Sequence, residues 1–576
     1  MAVLQPIIDL AELCFLHGIT HAIISPGSRS AALSLAFDKH PGITTHVVMD
    51  ERAAGFIALG IAQQLNKPVV IICTSGSAAY NFAPAVAEAY FQQIPLLVLS
   101  ADRPPEWIHQ HDGQTIYQSG IFGKHVKKSF DFPVDYQHPD SVWFANRIAN
   151  EAILLSTEAV MGPVHINIPI REPFYPSPTD LFKSGNVRKV TKLPYNVSLC
   201  AEDWHWIEDK LESYERIVIA VGQMPAHESL VESLRKLADN FGVVVLGDCI
   251  SNLPDEDPFI VHHDIFLPFL DKDKLGPDLL ITTGKSFISK SLKEFIRSNK
   301  QCDHWHIGIG SDMIDTFRHL TLQIPVSPIE FFKKLFEEFD FQQFLKHFQF
   351  DNDLDFQVSW KSNNLKSRRL LNDYIKTTPA FSDLAILDAV LDHLPENCQL
   401  HLANSMSVRY VNFLGVPVKG IEVYANRGTS GIDGCVSTAI GTALVSSAPV
   451  YLIVGDVAFL YDRNGLLLTP LPENLKIIVM NNAGGNIFRI IDGSSGQNEL
   501  ERLFETRHYF NCESAARGSQ MDYFQVNSFE SLSGNINSFI GSKKASILEF
   551  MTSPEESANA FKNAKNYIRS RWTEAN

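Results

Sequence analysis

Short runs of aliphatic and β-branched residues alternate with segments of helical periodicity along most of the chain. That alternation restricts the fold more than any other feature. Parallel strands are joined by helical crossovers and are buried on both faces, so each reads as a near-continuous apolar run. Runs at 20–25, 44–49, 68–73 and 95–100 are expected to be buried parallel strands, with helices at 29–38, 51–65 and 77–92 between them. A second block places strands at 216–221, 241–247, 279–283 and 304–309; a third places them at 399–403, 421–425, 450–454, 476–480 and 546–550. The prediction is an α/β chain of three parallel-sheet domains over 1–180, 195–350 and 380–576. The turn-rich stretch from 176 to about 193 reads as a linker, as does the polar helical stretch from about 330 to 378. Within the latter, Lys366-Ser367-Arg368-Arg369 reads as a solvated helix face. Ser382-Asp383 opens the third block as a helix N-cap. No fixed-period repeat is visible.

Composition narrows the class. The 576 residues carry a formal charge of −16, the wrong sign for a chain whose main partner is nucleic acid or an anionic membrane. Eight scattered cysteines form no Cys-x-x-Cys pair, which argues against a zinc site and a disulfide framework. Asp9 and Glu12 interrupt the region where a signal peptide would be apolar, and no apolar run is long enough to span a bilayer. The expectation is a soluble enzyme of the reducing cytoplasm. His304 and His306 alternate along a predicted strand and read as structural. Gly308-Ile309-Gly310 lacks the third glycine of a dinucleotide fingerprint, leaving little behind a flavin or nicotinamide oxidoreductase.

The chemistry concentrates in two strand ends. Tyr451-Leu452-Ile453-Val454-Gly455-Asp456 and Lys476-Ile477-Ile478-Val479-Met480-Asn481-Asn482-Ala483-Gly484-Gly485 are apolar strands closing on small polar residues, with a helical run between. Right-handed crossovers keep such strands in one sheet, and ligands bind beyond their carboxyl ends. Asp456 and Asn482 then offer a carboxylate and an amide oxygen at one edge. With a nearby carbonyl they make a hard-oxygen set suited to Mg²⁺ holding a diphosphate. Taken alone, each pair reads equally well as a turn. Glu51, opening a predicted helix, reads alone as a partner of the helix dipole.

The spacing of Gly-Asp and Asn-Asn resembles the metal motif of thiamine-diphosphate (ThDP) enzymes, with Val457 where the usual third glycine stands. That resemblance implies that the Gly484 carbonyl completes the metal set. It also implies that Glu51 touches the aminopyrimidine ring from an apolar pocket and promotes the tautomer that activates the thiazolium carbon. Further motifs follow in order: Ser25-Pro26-Gly27-Ser28-Arg29-Ser30, Asp50-Glu51-Arg52, Thr74-Ser75-Gly76, Ala101-Asp102-Arg103-Pro104, Asn426-Arg427-Gly428, Ser430-Gly431-Ile432-Asp433-Gly434 and Asn486-Ile487-Phe488. Together they resemble the MenD family, the 2-succinyl-5-enolpyruvyl-6-hydroxy-3-cyclohexene-1-carboxylate synthases of menaquinone biosynthesis. The likeness spans both outer blocks, while only scattered residues can be placed between about 190 and 380.

The resemblance implies decarboxylation of 2-oxoglutarate on ThDP, with Mg²⁺ or Mn²⁺, and addition of the succinyl-semialdehyde carbanion to isochorismate. It implies a homodimer or homotetramer with active sites between chains. Both substrates are dicarboxylates, and guanidinium grips carboxylate bidentately. By resemblance, Ser28, Arg29, Arg103 and Gln114 hold isochorismate and Arg409 the 2-oxoglutarate-derived carboxylate, with Arg427 close by. Lys290 matches a family lysine, but Ser291 replaces the arginine that follows it. Asn404, Ser405 and Gly455 receive the diphosphate, Ile432 is the aliphatic prop under the bent cofactor, and Ile487 and Phe488 form pocket wall. From spacing alone, the last three read equally as core residues. Two other readings stand beside this one: a different ThDP enzyme such as an acetolactate synthase or 2-oxoacid decarboxylase, and a non-catalytic ThDP-fold binding protein.

Overall fold

The computed structural model describes residues 5–172, 175–177, 181–193, 197–310, 312–338, 353–377 and 380–573. It contains three sheets, every strand pair parallel, with helices in the crossovers. The first holds β1 (His21–Ile24), β2 (Thr44–Val47), β3 (Val69–Cys73), β4 (Leu96–Asp102), β5 (Ser129–Asp131) and β6 (Val164–Pro169) in the order β2-β1-β3-β4-β6-β5. The second holds β7 (Ile217–Val221), β8 (Val244–Gly247), β9 (Leu279–Thr283), β10 (Asp303–Ile307) and β11 (Leu320–Ile324) in the order β11-β10-β9-β7-β8. The third holds β12 (Gln399–Leu402), β13 (Glu422–Ala425), β14 (Val450–Gly455), β15 (Leu475–Asn481), β16 (Asp522–Val526) and β17 (Ser546–Met551) in the order β13-β12-β14-β15-β17-β16. Counted from its own first strand, the third sheet repeats the order of the first. The outer domains share a topology that no sequence repeat announces.

The expected α/β class with three parallel sheets is therefore the one observed, with local corrections. The run at 44–49 is not a buried strand: β2 lies at the sheet edge, and Val47 and Met49 are 59% and 62% exposed. The helical stretch 77–92 is two helices, Ser77–Asn81 and Ala83–Gln92, meeting at Phe82. Phe241 ends the helix Glu228–Phe241 and only Val244–Gly247 is extended. The polar stretch after 330 is no solvated linker where it is described. Helix Asp353–Thr377 buries Trp360, Leu370, Leu371 and Tyr374 in a core shared with the central and third domains, and Ser367 is buried with them. His304 and His306 both bond the Thr282 hydroxyl, a structural role. The expected boundaries at 180, 195 and 350 and part of the 176–193 stretch lie outside the described residues. Among the described residues no helix is long and apolar enough to cross a membrane.

The outer domains meet along helices Glu51–Leu65 and Cys435–Val445, whose residues belong to one continuous core. Glycines permit the contact. A Cβ on Gly60 would lie 2.1 Å from the Thr438 carbonyl oxygen, and one on Gly441 would lie 2.0 Å from that of Ile57. Backbones at this distance leave no room for a side chain, so the first domain is fixed against the third within one chain.

Candidate active site

In the third sheet the strand order reverses between β12 and β14, and the crevice beyond their carboxyl ends is where such a sheet binds ligands. A cavity of about 330 Å³ opens there. Asn404, Ser405, Gly455, Asp456, Asn482 and Gly484 line it, and Ile432, Ile487 and Phe488 line it too. All the residues of the third block expected around the cofactor and metal, apart from the flanking arginines, are thus brought together.

Sheet alternation separates the two asparagines. Asn481 turns away and donates to Glu549 Oε1 at 2.7 Å and to the Phe510 carbonyl at 3.0 Å. Asn482, one residue on, faces the cavity. Its Nδ2 donates to Asp383 Oδ2 at 2.9 Å, while its Oδ1 is buried without a hydrogen-bond partner among the described residues. Asp456, 3% exposed, accepts from Val457 N at 2.7 Å and Gly484 N at 2.9 Å. The Gly484 carbonyl accepts from Asn486 N at 3.0 Å and keeps a second lone pair. Leaving a buried amide oxygen unpaired costs free energy. A hard divalent cation satisfies such an oxygen beside a carboxylate and a carbonyl, so the donor set fits Mg²⁺ or Mn²⁺.

Two neighbours of this set were not anticipated. His508 Nε2 lies 3.2 Å from Asp456 Oδ2. Asp383, read from sequence only as part of a helix start, is 1% exposed and accepts from the Thr552 and Ser557 hydroxyls at 2.7 and 2.9 Å. Ser382 makes no capping hydrogen bond. Burial, with Asp456 adding to it, raises the Asp383 carboxyl above its ordinary value, against hydrogen bonds from Thr552, Asn482 and Ser557.

Around the cavity stand cations. Arg409, on helix Met406–Leu414, donates to the Ser405 carbonyl at 2.5 Å, and Arg427 donates to Asn404 Oδ1 at 2.9 Å. Desolvation and the neighbouring Arg427 lower the Arg409 pKa from its usual range. Asn404 in turn donates to the carbonyls of Asn426 and Gly431, tying Arg427 and Ile432 into one loop. From the first domain, the buried Glu88 accepts from Gly428 N and Thr429 N of that loop at 2.7 and 2.6 Å. Lys290 is exposed and pairs with Glu294 at 3.3 Å, outside the cavity lining. Ser291 is engaged with Asp264. Burial lowers the pKa of Lys293 in the central domain, and Arg427, Arg297 and Arg409 lower it further against the carboxylate of Asp248.

The first domain gathers a second group of predicted residues beyond the ends of β1, β3 and β4. Arg29 donates to the Ile170 carbonyl at 3.0 Å and lies 3.5 Å from Glu172. Arg103 donates to Asp112 at 2.6 Å, Ser75 Oγ at 2.9 Å and the Gln114 carbonyl at 3.0 Å. Burial and then the Arg103 guanidinium lower the Arg29 pKa. Ser28 is exposed on the loop before Arg29, and Gln114 is exposed at φ 56°. Glu51 begins helix Glu51–Leu65, whose N-cap Asp50 accepts from Arg52 N and Ala53 N. It is half-buried and accepts from Asn81 Nδ2 at 3.2 Å. Neither Glu51 nor Arg29 or Arg103 is among the residues that line the 330 Å³ cavity.

Comparison with known proteins agrees with this geometry. Residues 9–121 match the family described as thiamine pyrophosphate enzyme, N-terminal TPP binding domain, and residues 196–402 match the middle domain of thiamine pyrophosphate enzymes. The 2-succinyl-5-enolpyruvyl-6-hydroxy-3-cyclohexene-1-carboxylate synthase of Cytophaga hutchinsonii is 42% identical, covering 98% of this chain and 99% of its own. Synthases of the same name from Flavobacterium johnsoniae (36%, covering 94% and 95%) and Bacteroides thetaiotaomicron (35%, covering 92% of each) are also similar. The likeness thus includes the central block, where sequence motifs placed few residues. On this breadth of identity, the chain belongs to the 2-succinyl-5-enolpyruvyl-6-hydroxy-3-cyclohexene-1-carboxylate synthase family of thiamine-diphosphate enzymes.

Proposed function

We propose that the protein is a ThDP- and divalent-metal-dependent transferase of menaquinone biosynthesis. It decarboxylates 2-oxoglutarate and joins the remaining four-carbon unit to isochorismate. The observation that carries the reading is the switch-point cavity, which Asp456 and Asn482 both line, the Asn482 oxygen being buried without a partner among the described residues. Asp456, Asn482 Oδ1 and the Gly484 carbonyl would hold Mg²⁺ or Mn²⁺. Asn404, Ser405 and Gly455 would receive the diphosphate, and Ile432, Ile487 and Phe488 would wall the cofactor. When bound, ThDP supplies the electron sink on which a 2-oxoacid loses carbon dioxide.

The chain's own groups do the rest. Glu51 holds and returns a proton at the aminopyrimidine. Arg409 and Arg427 present cations to the distal carboxylate of 2-oxoglutarate, with Lys290 and Lys293 extending that edge from the central domain. Ser28, Arg29, Arg103 and Gln114 orient isochorismate through its carboxylates. Because Glu51, Arg29 and Arg103 are not among the lining residues of their own chain's cavity, the reading includes a homodimer, or a dimer of dimers. In it, Glu51 of one chain faces the cavity of the other. The exposed Val47, Met49 and Tyr80 near Glu51 are the apolar surface such a contact would cover. A cytoplasmic location belongs to the same proposal, supported by eight unpaired thiols.

Isochorismate absorbance, followed with the full-length protein, ThDP, Mg²⁺ and 2-oxoglutarate and with each omitted in turn, tests the reaction. Consumption is expected only in the complete mixture. Carbon dioxide release without isochorismate consumption would retain the ThDP chemistry and reject the acceptor. Arg103→Ala is expected to lower kcat/KM for isochorismate roughly 30-fold or more, since a charge-assisted hydrogen bond is worth about 2 kcal/mol. Arg29→Ala should act in the same direction. ThDP affinity should barely move in either variant; an equal loss in both measurements would take these arginines out of the acceptor site.

A further inference from the structure

An asparagine that ligates a metal must present its oxygen, and its amide has two nearly isosteric orientations. Something has to choose between them. In this protein the choice is made at the amide nitrogen. Asp383 Oδ2 accepts from Asn482 Nδ2 at 2.9 Å, and the inverted amide would set an oxygen against a carboxylate oxygen. Asp383 is itself immobilised. Thr552 and Ser557 donate to its Oδ1 at 2.7 and 2.9 Å, and its own N–H donates to Ser557 Oγ at 3.1 Å. These partners come from the end of β17 and the start of helix Pro554–Thr573, so the carboxylate joins three separate pieces of the third domain. Asn482 lines the cavity, and its oxygen is buried without a hydrogen-bond partner among the described residues.

We propose that Asp383 is the positioning residue that sets Asn482 as a metal ligand, by holding its amide nitrogen and so turning its oxygen into the cavity. The proposal rests on the reading of Asp456, Asn482 and Gly484 as the metal set. Asp383 borders the same cavity, but it is 1% exposed and its carboxylate is engaged by Asn482, Thr552 and Ser557. It therefore acts through Asn482, in the way that partners of a ligand orient it and raise its affinity.

The test is an isosteric change. In Asp383→Asn the Thr552 and Ser557 hydroxyls favour the new amide oxygen at the Oδ1 position. The new NH₂ group then faces Asn482, which must invert and present its own NH₂ to the metal. Mn²⁺ serves as the probe, its free concentration read by electron paramagnetic resonance during titration of the full-length protein with ThDP present. Asp383→Asn is expected to weaken Mn²⁺ binding by about 10- to 100-fold, the usual cost of losing a residue that orients a ligand. Its kcat should return close to the wild-type value once Mn²⁺ saturates, which a general packing defect would not allow. Ser557→Ala leaves the Asp383–Asn482 contact in place and should lower thermal stability with little change in Mn²⁺ affinity. Wild-type Mn²⁺ affinity in Asp383→Asn would overturn the proposal, as would an equal loss in Ser557→Ala. Asp456→Ala, run alongside, separates the two levels. If it binds Mn²⁺ like wild type, the metal-site reading itself fails; if it loses Mn²⁺ while Asp383→Asn does not, only the role of Asp383 falls.

Discussion

Glu51→Gln is expected to reduce turnover by about 10²- to 10⁴-fold, the range that a positioned proton-transfer group contributes, while leaving the fold and most ThDP binding intact. Glutamine retains an oxygen to accept from Asn81 Nδ2, so the local geometry survives the change. The helix that carries residue 51 is held independently of it. Asp50 caps the helix, Asn464 Nδ2 donates to Asp50 at 2.8 Å, and Arg52 donates to the Asp433 carbonyl at 3.1 Å. Steady-state isochorismate consumption and a ThDP titration of the same preparation check this; near-normal turnover would remove Glu51 from the chemistry. The variant also tests the arrangement of chains. If Glu51 serves the partner's cavity, mixing Glu51→Gln with Asp456→Ala chains under conditions that exchange subunits should restore about a quarter of the sites, because half the dimers are hybrids and each hybrid has one intact site. If both residues served one chain's own cavity, every mixture would stay inactive.

Asp456→Ala should abolish metal-dependent ThDP binding, with a loss beyond the roughly 100-fold seen for residues that only orient a ligand. The carboxylate does two things at once. It supplies the charged member of the oxygen set, and it accepts from the N–H groups of Val457 and Gly484, which fixes the loop carrying the other two ligands. Thermal unfolding offers a readout independent of turnover. At a ligand concentration 100 times its Kd, wild-type protein gains about 2.7 kcal/mol, and a variant binding 100-fold more weakly gains about 0.4 kcal/mol under the same conditions. A full ligand-induced rise in Tm in Asp456→Ala would exclude the carboxylate from the site.

Four strands escaped the sequence, for two physical reasons. β5, β11 and β16 lie at sheet edges, where a strand needs no continuous apolar run because one side is open. β6 is internal, but its run is broken by His165 and Asn167, both buried. Ser100 Oγ meets His165 Nε2 at 2.7 Å and Asn167 Oδ1 at 3.0 Å, and Asn167 Nδ2 donates to Asp102 at 2.9 Å. Polar groups are tolerated inside once each finds a partner, and those partners sit on the neighbouring strand about 65 residues away. The same limitation hid Asp383, whose partners Asn482, Thr552 and Ser557 are 99, 169 and 174 positions distant.

By itself, the sequence determined the α/β class, the three-block order and the strand ends that carry Asn404, Asp456 and Asn482. These follow from local causes: a doubly buried strand must be apolar along its length, and the loop after it is where polar residues become available. Only the tertiary structure decided which polar atoms are satisfied and which are left facing a cavity. It paired Asn481 with Glu549, left the Asn482 oxygen buried without a partner among the described residues, set Asp383 against that amide, and left Glu51 out of the lining of its own chain's cavity. Hydrogen-bond pairing between segments a hundred or more residues apart has no local periodicity, so it exists only once the sheets are packed.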